Sequence, residues 1–165
     1  MTGGRGVKAV VGEELEAILP AHVGQQRWYG GSPDDDLRIL RTDLLEPPWP
    51  GLLRVVVESP TGDRYQVLVG LRRPDPGVES PIGMIGLPEG EALCVDATVD
   101  PELALVLLRY ADPTQDATIA RPIGAEQSNT SIVYDERLIL KVFRRLVGVN
   151  PEVEMTSALG RAGFT

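Results

Sequence analysis

The side chains of this sequence best placed to do chemistry are a polar run, Ser128-Asn129-Thr130-Ser131, one lysine, Lys141, and two nearby acids, Glu152 and Glu154. Four small polar side chains and four backbone N–H groups between two extended segments suit a turn that lies over phosphates. The same run also makes an ordinary Asx-type turn. Lys141 falls in Leu138-Ile139-Leu140-Lys141-Val142-Phe143. Strand alternation sends Leu138, Leu140 and Val142 to one face, and Ile139, Lys141 and Phe143 to the other. Between two large apolar neighbours, the ammonium is expected on a face shielded from solvent. There it needs a carboxylate or a phosphate, because an unpaired buried charge is costly. The competing reading is an exposed edge strand whose lysine snorkels to water. A covering loop, a strand lysine and a helix carboxylate that orients it together hold a nucleotide for phosphoryl transfer.

The carboxylate comes from a helix that opens at Asn150-Pro151-Glu152 and runs toward Arg161. Met155, Ala158, Leu159 and Ala162 form its apolar stripe. Glu152 and Glu154 flank that stripe on opposite sides, so helical geometry does not choose between them. Glu152 already has a role as a first-turn acid at the positive end of the helix dipole. That leaves Glu154 as the better partner for Lys141.

The elements that must position these groups can be read from the N-terminus. Residues 9–20 show helical spacing of Val11, Leu15, Ile18, Leu19 and His22, with Pro20 expected to close the helix. His22 is expected to cap it or lie on the surface. Without a second histidine or a cysteine pair, metal binding at His22 is not expected. Trp28 and Tyr29 read as core anchors, and Asp34-Asp35-Asp36 as a solvated turn. A strand over 37–45 and the break Pro47-Pro48-Trp49-Pro50-Gly51 follow. Next comes a hairpin, 52–59 with 64–72, expected to bury the single face that carries Tyr65, Val67, Val69 and Leu71. The Gly- and Pro-rich stretch 74–90 reads as loop with one short strand at 83–87, and 92–97 as another strand. Asp100-Pro101-Glu102 opens a helix, Asp as N-cap and Pro in the first turn, with Leu103, Leu107 and Tyr110 on one face. Residues 117–124 read as a linker, and 126–134 with 137–144 as a second hairpin turning at Asp135-Glu136.

Composition narrows the class of protein. The 165 residues are 42% hydrophobic with a net charge of -8, enough for a folded core and without a basic footprint for nucleic acid or anionic lipid. No run reaches the 18 or so apolar residues of a membrane helix, and the N-terminus leads into no signal-peptide core. A soluble, cytoplasmic protein is expected. The one cysteine, Cys94, reads as a small buried hydrophobe. The basic residues number 16, of which only Lys8 and Lys141 are lysine.

Ala125-Glu126-Gln127-Ser128-Asn129-Thr130-Ser131, then Leu140-Lys141-Val142-Phe143-Arg144-Arg145, then Asn150-Pro151-Glu152-Val153-Glu154 resemble the maltokinases, kinases related to aminoglycoside phosphotransferases. Upstream, Arg27-Trp28-Tyr29-Gly30-Gly31 and Arg64-Tyr65-Gln66-Val67-Leu68-Val69 are similar to the N-terminal cap of the same enzymes. The resemblance implies an α+β fold. An antiparallel-sheet cap with flanking helices would occupy residues 1–116, and the first hairpin and helix of a kinase N-lobe residues 117–165. It implies that Lys141 is the nucleotide-binding lysine, Glu154 its partner, and Ser128, Asn129, Thr130 and Ser131 the phosphate-covering loop. ATP, Mg²⁺ and a sugar, maltose favoured, are the implied ligands, with maltose 1-phosphate for α-glucan synthesis as the product. No catalytic residue is expected in this chain, because the resemblance puts the catalytic aspartate, the metal ligands and the sugar pocket after Thr165. The chain alone is therefore expected to be inactive, its residues 117–164 either more mobile or packing their apolar face on the cap or on a second copy of the chain. A kinase for another sugar, such as glucosamine, and a non-catalytic interaction module are the alternatives.

Overall fold

The computed structural model describes residues 3–123 and 129–147, with side chains from residue 11 onward. It is an α+β structure of two antiparallel sheets and two helices, as expected from the sequence. The elements are α1 (Gly3–Gly24), β1 (Arg38–Glu46), β2 (Gly51–Glu58), β3 (Arg64–Arg72), β4 (Gly83–Leu87) and β5 (Gly90–Asp96). They are followed by α2 (Pro101–Ala111), β6 (Ala120–Ile123), β7 (Asn129–Tyr134), β8 (Leu138–Phe143) and the two-residue β9 (Arg145–Leu146). One sheet runs in the order β1-β2-β3-β5-β4, with β9 also pairing β3, and the other in the order β6-β7-β8.

Hairpin β2–β3 is the centre of the first sheet. Its register runs from Gly51↔Leu71 to Glu58↔Arg64, and its turn is closed by Ser59 N donating to Asp63 O at 2.8 Å. Gly62, at φ +88°, supplies the left-handed residue of that turn. The expectation of a single buried face is corrected, because both faces are covered. Val55, Val57, Tyr65, Val67, Val69 and Leu71 face a core completed by Val11, Leu15, Leu19 and Val23 of α1 and by Trp28 and Tyr29. Leu52 and Leu68 face a second core, shared with Leu103, Leu107 and Leu108 of α2 and with Ile132, Tyr134, Leu138, Leu140 and Val142 of β7–β8. Helix α2 lies so close to this face that a Cβ on Gly70 would collide with Leu103 Cδ1.

Helix α1 does not stop at Pro20, which lies inside it. The proline removes one backbone donor, but Leu19 and Val23, both buried, hold the turns on either side of it. Helix α2 starts as expected. The Asp100 carboxylate accepts from Leu103 N at 3.1 Å and from Arg72 Nη1 at 3.0 Å, so the cap also ties α2 to β3. Tyr110 departs from the expected apolar stripe and is exposed.

The presumed linker at 117–124 carries strand β6, which pairs with β7 from Ala120↔Tyr134 to Ile123↔Ser131. The turn between β7 and β8 takes Asp135 and Glu136 through the left-handed region at φ 51° and 54°, with Arg137 N donating to Tyr134 O at 3.0 Å. The Asp135 carboxylate, held below the usual carboxylate range by these bonds, accepts from Ile119 N at 2.8 Å and Thr118 N at 3.1 Å. It thereby fastens the approach to β6 onto the turn. Among the described residues no helix is long and apolar enough to cross a membrane.

Candidate functional site

Strand β8 sets the position of Lys141. Leu138, Leu140 and Val142 are buried in the shared core, which fixes which way the strand faces. Ile139, Lys141 and Phe143 therefore point the other way, as the alternation predicts. The expectation that this face is shielded is corrected: Lys141 is exposed, with Ile139 42% and Phe143 36% exposed beside it. Nothing among the described residues covers it.

The neighbouring strand β7 is not open in the same way, since Ser131 is buried and Asn129 only half-buried. Ser131 is the register partner of Lys141, and Asn129 that of Phe143. Paired residues of an antiparallel ladder share a face, so Asn129, Ser131 and Lys141 stand together. Asn129 Oδ1 is buried without a hydrogen-bond partner.

The reading of 128–131 as a turn is corrected for Asn129, Thr130 and Ser131, which lie in β7. Thr130 faces the opposite way, and its hydroxyl accepts from Arg144 Nε at 3.0 Å, so its side chain belongs to the core side. Ser128 and Glu154, and with them the opening helix and Glu152, lie outside the described residues. The segment joining β6 to β7, residues 124–128, is outside them as well. Its sequence is Gly124-Ala125-Glu126-Gln127-Ser128.

A buried polar cluster lies behind this hairpin, and sequence reasoning missed it. Arg144, the first residue after β8, is 1% exposed. Its Nη2 donates to Thr98 Oγ1 at 2.8 Å and approaches Asp96 Oδ2 at 3.4 Å. Asp96 Oδ1 accepts from Thr98 N at 2.9 Å and from Thr98 Oγ1 at 2.6 Å. Burial alone would push the Asp96 carboxyl up, but Arg144 and the Thr98 hydrogen bonds outweigh it and hold it below the usual carboxylate range. The Trp28 ring lies 4.9 Å from the Arg144 guanidinium carbon, a cation–π contact that closes the cluster from the α1 side. Next to it, Gln66 Nε2 donates to Phe143 O at 2.6 Å and Gln66 N to Arg144 O at 2.8 Å.

His22 also faces this cluster, and the expected surface position is corrected. Its Nε2 stands 3.9 Å from Asp96 Oδ2 without a hydrogen bond, in a side chain only 13% exposed. Burial lowers its pKa from the ordinary value and Arg144 adds to that, against the pull of Asp96, so the ring is neutral at pH 7. Nothing in sequence separates Arg144 from its exposed neighbour Arg145, or marks His22 as buried. Only the packing of β9 beside β3 makes the distinction.

Trp28 and Tyr29 are buried, as expected. Tyr29 meets Tyr65 at 5.1 Å between ring centroids, and its hydroxyl donates to Asp35. Asp35 also accepts from Ser32 N at 2.9 Å, so one member of the acidic triplet anchors a turn rather than merely facing solvent. Cys94 is fully buried and its thiol is pushed up to about 12, which removes it as a nucleophile. Among the described residues no group of three His, Cys, Asp or Glu side chains is placed to hold a metal ion.

Compared with known families, residues 22–100 match the maltokinase N-terminal cap domain. The match spans α1 from His22, all of β1–β5 and the N-cap of α2.

Proposed function

From the premise that the chain carries a maltokinase N-terminal cap domain over residues 22–100, we propose that it is the N-terminal portion of an ATP-dependent sugar kinase. Maltose is the favoured acceptor and maltose 1-phosphate the product. The observation that carries this reading is the exposed face of β8, where Lys141 stands between Ile139 and Phe143 and pairs in register with Ser131 of β7. A lysine on an exposed strand face between apolar neighbours would suit the holding of phosphate oxygens.

In this reading the bound group would be a nucleotide. Lys141 would offer its ammonium to phosphate oxygens, the backbone N–H groups of 124–128 with the Ser128 hydroxyl would cover them, and Ile139 and Phe143 would give an apolar flank. Glu154 would orient the ammonium. Mg²⁺ would neutralise the charge that develops on the phosphates, and its ligands lie outside the described residues. The groups that position the acceptor hydroxyl would lie elsewhere too, so this portion would contribute binding rather than catalytic groups. The enzyme would work in the cytoplasm.

Glucosamine kinase activity is the second reading, because nothing in the cap or on the β7–β8 face selects the acceptor. The test is ADP release by the full-length enzyme and by the 165-residue chain, each with maltose, glucosamine and glucose. Maltose-dependent release by the full-length enzyme alone is expected. Release by the chain alone would show that its surface acids include the catalytic groups. No sugar-dependent release by either protein would overturn the kinase reading in favour of an interaction module.

A further inference from the structure

His22 is the one histidine of the chain, and it sits where the two sheets are tied together. Its Nδ1 stands 3.4 Å from Gln26 Nε2, an amide nitrogen that also donates to His22 O at 3.1 Å. An amide nitrogen can only donate, so Nδ1 accepts and the neutral ring carries its proton on Nε2. That Nε2 is buried without a hydrogen-bond partner, 3.9 Å from Asp96 Oδ2. Arg144 Nη2 approaches the same oxygen at 3.4 Å. Asp96, at the end of β5, and Arg144, between β8 and β9, are the charged groups that face the ring among the described residues, and α1 adds the uncharged Gln26.

Arg144 is the tie. Its Nε donates to Thr130 Oγ1 of β7 at 3.0 Å, and its Nη2 to Thr98 Oγ1, beside Asp96, at 2.8 Å. Its carbonyl accepts from Gln66 N of β3 at 2.8 Å, and the chain runs on into β9, which pairs with β3 at Tyr65↔Arg145. With His22 neutral the charges of the cluster cancel, one carboxylate against one guanidinium. A proton taken up at Nδ1 ends that balance. Nδ1 can then no longer accept from Gln26, and two cations share one buried carboxylate. Burying the second without a counter-charge of its own is costly. The same burial, with Arg144, is why the ring takes up its proton only below the ordinary histidine range. The cost is relieved when the imidazolium Nε2 takes Asp96 Oδ2 and the guanidinium, its anchor lost, moves out to water.

We propose that His22 is an acid-driven release for the joint between the two sheets: the protonated ring captures Asp96, and Arg144 with the β8–β9 corner lets go of β3 and β5. The opening is local. The first sheet and α1 keep a core of their own, in which Val67 and Val69 pack with Leu15 and Leu19, so that sheet stays folded while the joint opens. The latch operates whatever Lys141 binds.

The test is amide hydrogen exchange of the 165-residue chain at two pH values, about 7.5 and about 5.5, corrected for intrinsic rates and run with and without low urea, on wild type and His22→Gln. The reporter is the Gln66 N–H, the donor to Arg144 O, and the amides of the β2–β3 ladder are the reference. Gln66 is expected to exchange faster than the ladder and independently of low urea, as a local opening requires. Its protection should fall severalfold between the two pH values, up to the limit of about tenfold that one proton site with an open-state pKa of about 6.5 allows. In His22→Gln the fall should be less than about twofold. Magnetic resonance titration of the single imidazole needs no variant, and its midpoint should lie below the ordinary histidine value of about 6.5. A midpoint at or above that value would overturn the proposal. So would Gln66 exchange that follows the ladder in rate and urea dependence, or a pH response that survives in His22→Gln.

Discussion

Hairpin β2–β3 is buried on both faces, whereas in hairpin β7–β8 strand β7 is buried on both faces and strand β8 on one. The sequences give little warning of this. Val55, Val56 and Val57 beside Arg54, and Leu138, Ile139 and Leu140 beside Lys141, are similar apolar runs, each with a single basic residue. In β2 the cation is buried, and Arg54 Nε donates to Gln66 Oε1 at 2.9 Å between two packed layers. In β8 the cation is exposed on a face that still presents Ile139 and Phe143 to water. A hairpin closed on both sides is finished architecture. A strand with a lysine among apolar neighbours on an exposed face is open to a ligand, and in the proposed enzyme that ligand would be ATP.

The comparison is broken most severely at Lys141. Lys141→Ala in the full-length enzyme should lower turnover by on the order of 10²–10³-fold, the scale of losing one charge-stabilising group. Its melting temperature should stay within about 2 °C of wild type, since exposed substitutions cost little stability. Turnover assays beside a thermal melt check both halves.

The two faces of β8 should separate cleanly by stability. Leu140→Ala, at a position with no exposure, should cost about 2–5 kcal/mol. Ile139→Ala, one residue away on the open face, should cost under about 1 kcal/mol. Urea denaturation of the 165-residue chain measures the contrast, and equal costs would mean that the open face is covered in solution.

The joint between β3 and α2 gives a smaller effect. Asp100→Ala removes the N-cap of α2 and the acceptor of Arg72, and should cost about 1–2 kcal/mol by the same denaturation.

The smallest effect is a pH dependence. His22 has a folded-state pKa below its unfolded value, so the folded protein binds fewer protons as pH falls through the unfolded pKa of about 6.5. Stability from this group is complete above that value and is lost as pH falls toward the folded pKa. Asp96, also lowered, adds a loss at more acid pH, because its carboxylate must be protonated. Melting temperatures from pH 7.5 to about 5.5 should therefore fall in the wild type and fall less in His22→Gln.

What could be read from sequence follows the range of the interactions involved. The hairpin turns, the Asp100 cap and the alternation of β8 are set by near neighbours, and each was legible. Both faces of β2–β3 being covered depends on α2 and β7–β8 arriving from far along the chain, and no local pattern announces that. Strand β6 was hidden by Pro122, which usually argues against a strand. It is tolerated here because β6 lies at the edge of its sheet. Arg144 and His22 were hidden because burial of a polar residue depends on partners distant in sequence, Asp96 lying 48 residues from Arg144. Lys141 was legible as a candidate from its apolar neighbours, but the exposure of its face was not.

The central claim, that Lys141 holds the phosphates of a nucleotide, is tested most directly by an acyl-phosphate derivative of ATP on the full-length enzyme. Such a probe transfers its acyl group to a lysine amine beside the bound phosphates, forming an amide and releasing ATP. Lys8 and Lys141 are the only lysines within these 165 residues, so peptide mass spectrometry assigns each labelled lysine directly. The account predicts labelling at Lys141 that excess ATP suppresses, with Lys8 labelled weakly and without ATP protection. Labelling of Lys141 no stronger than that of Lys8, or indifferent to ATP, would contradict it.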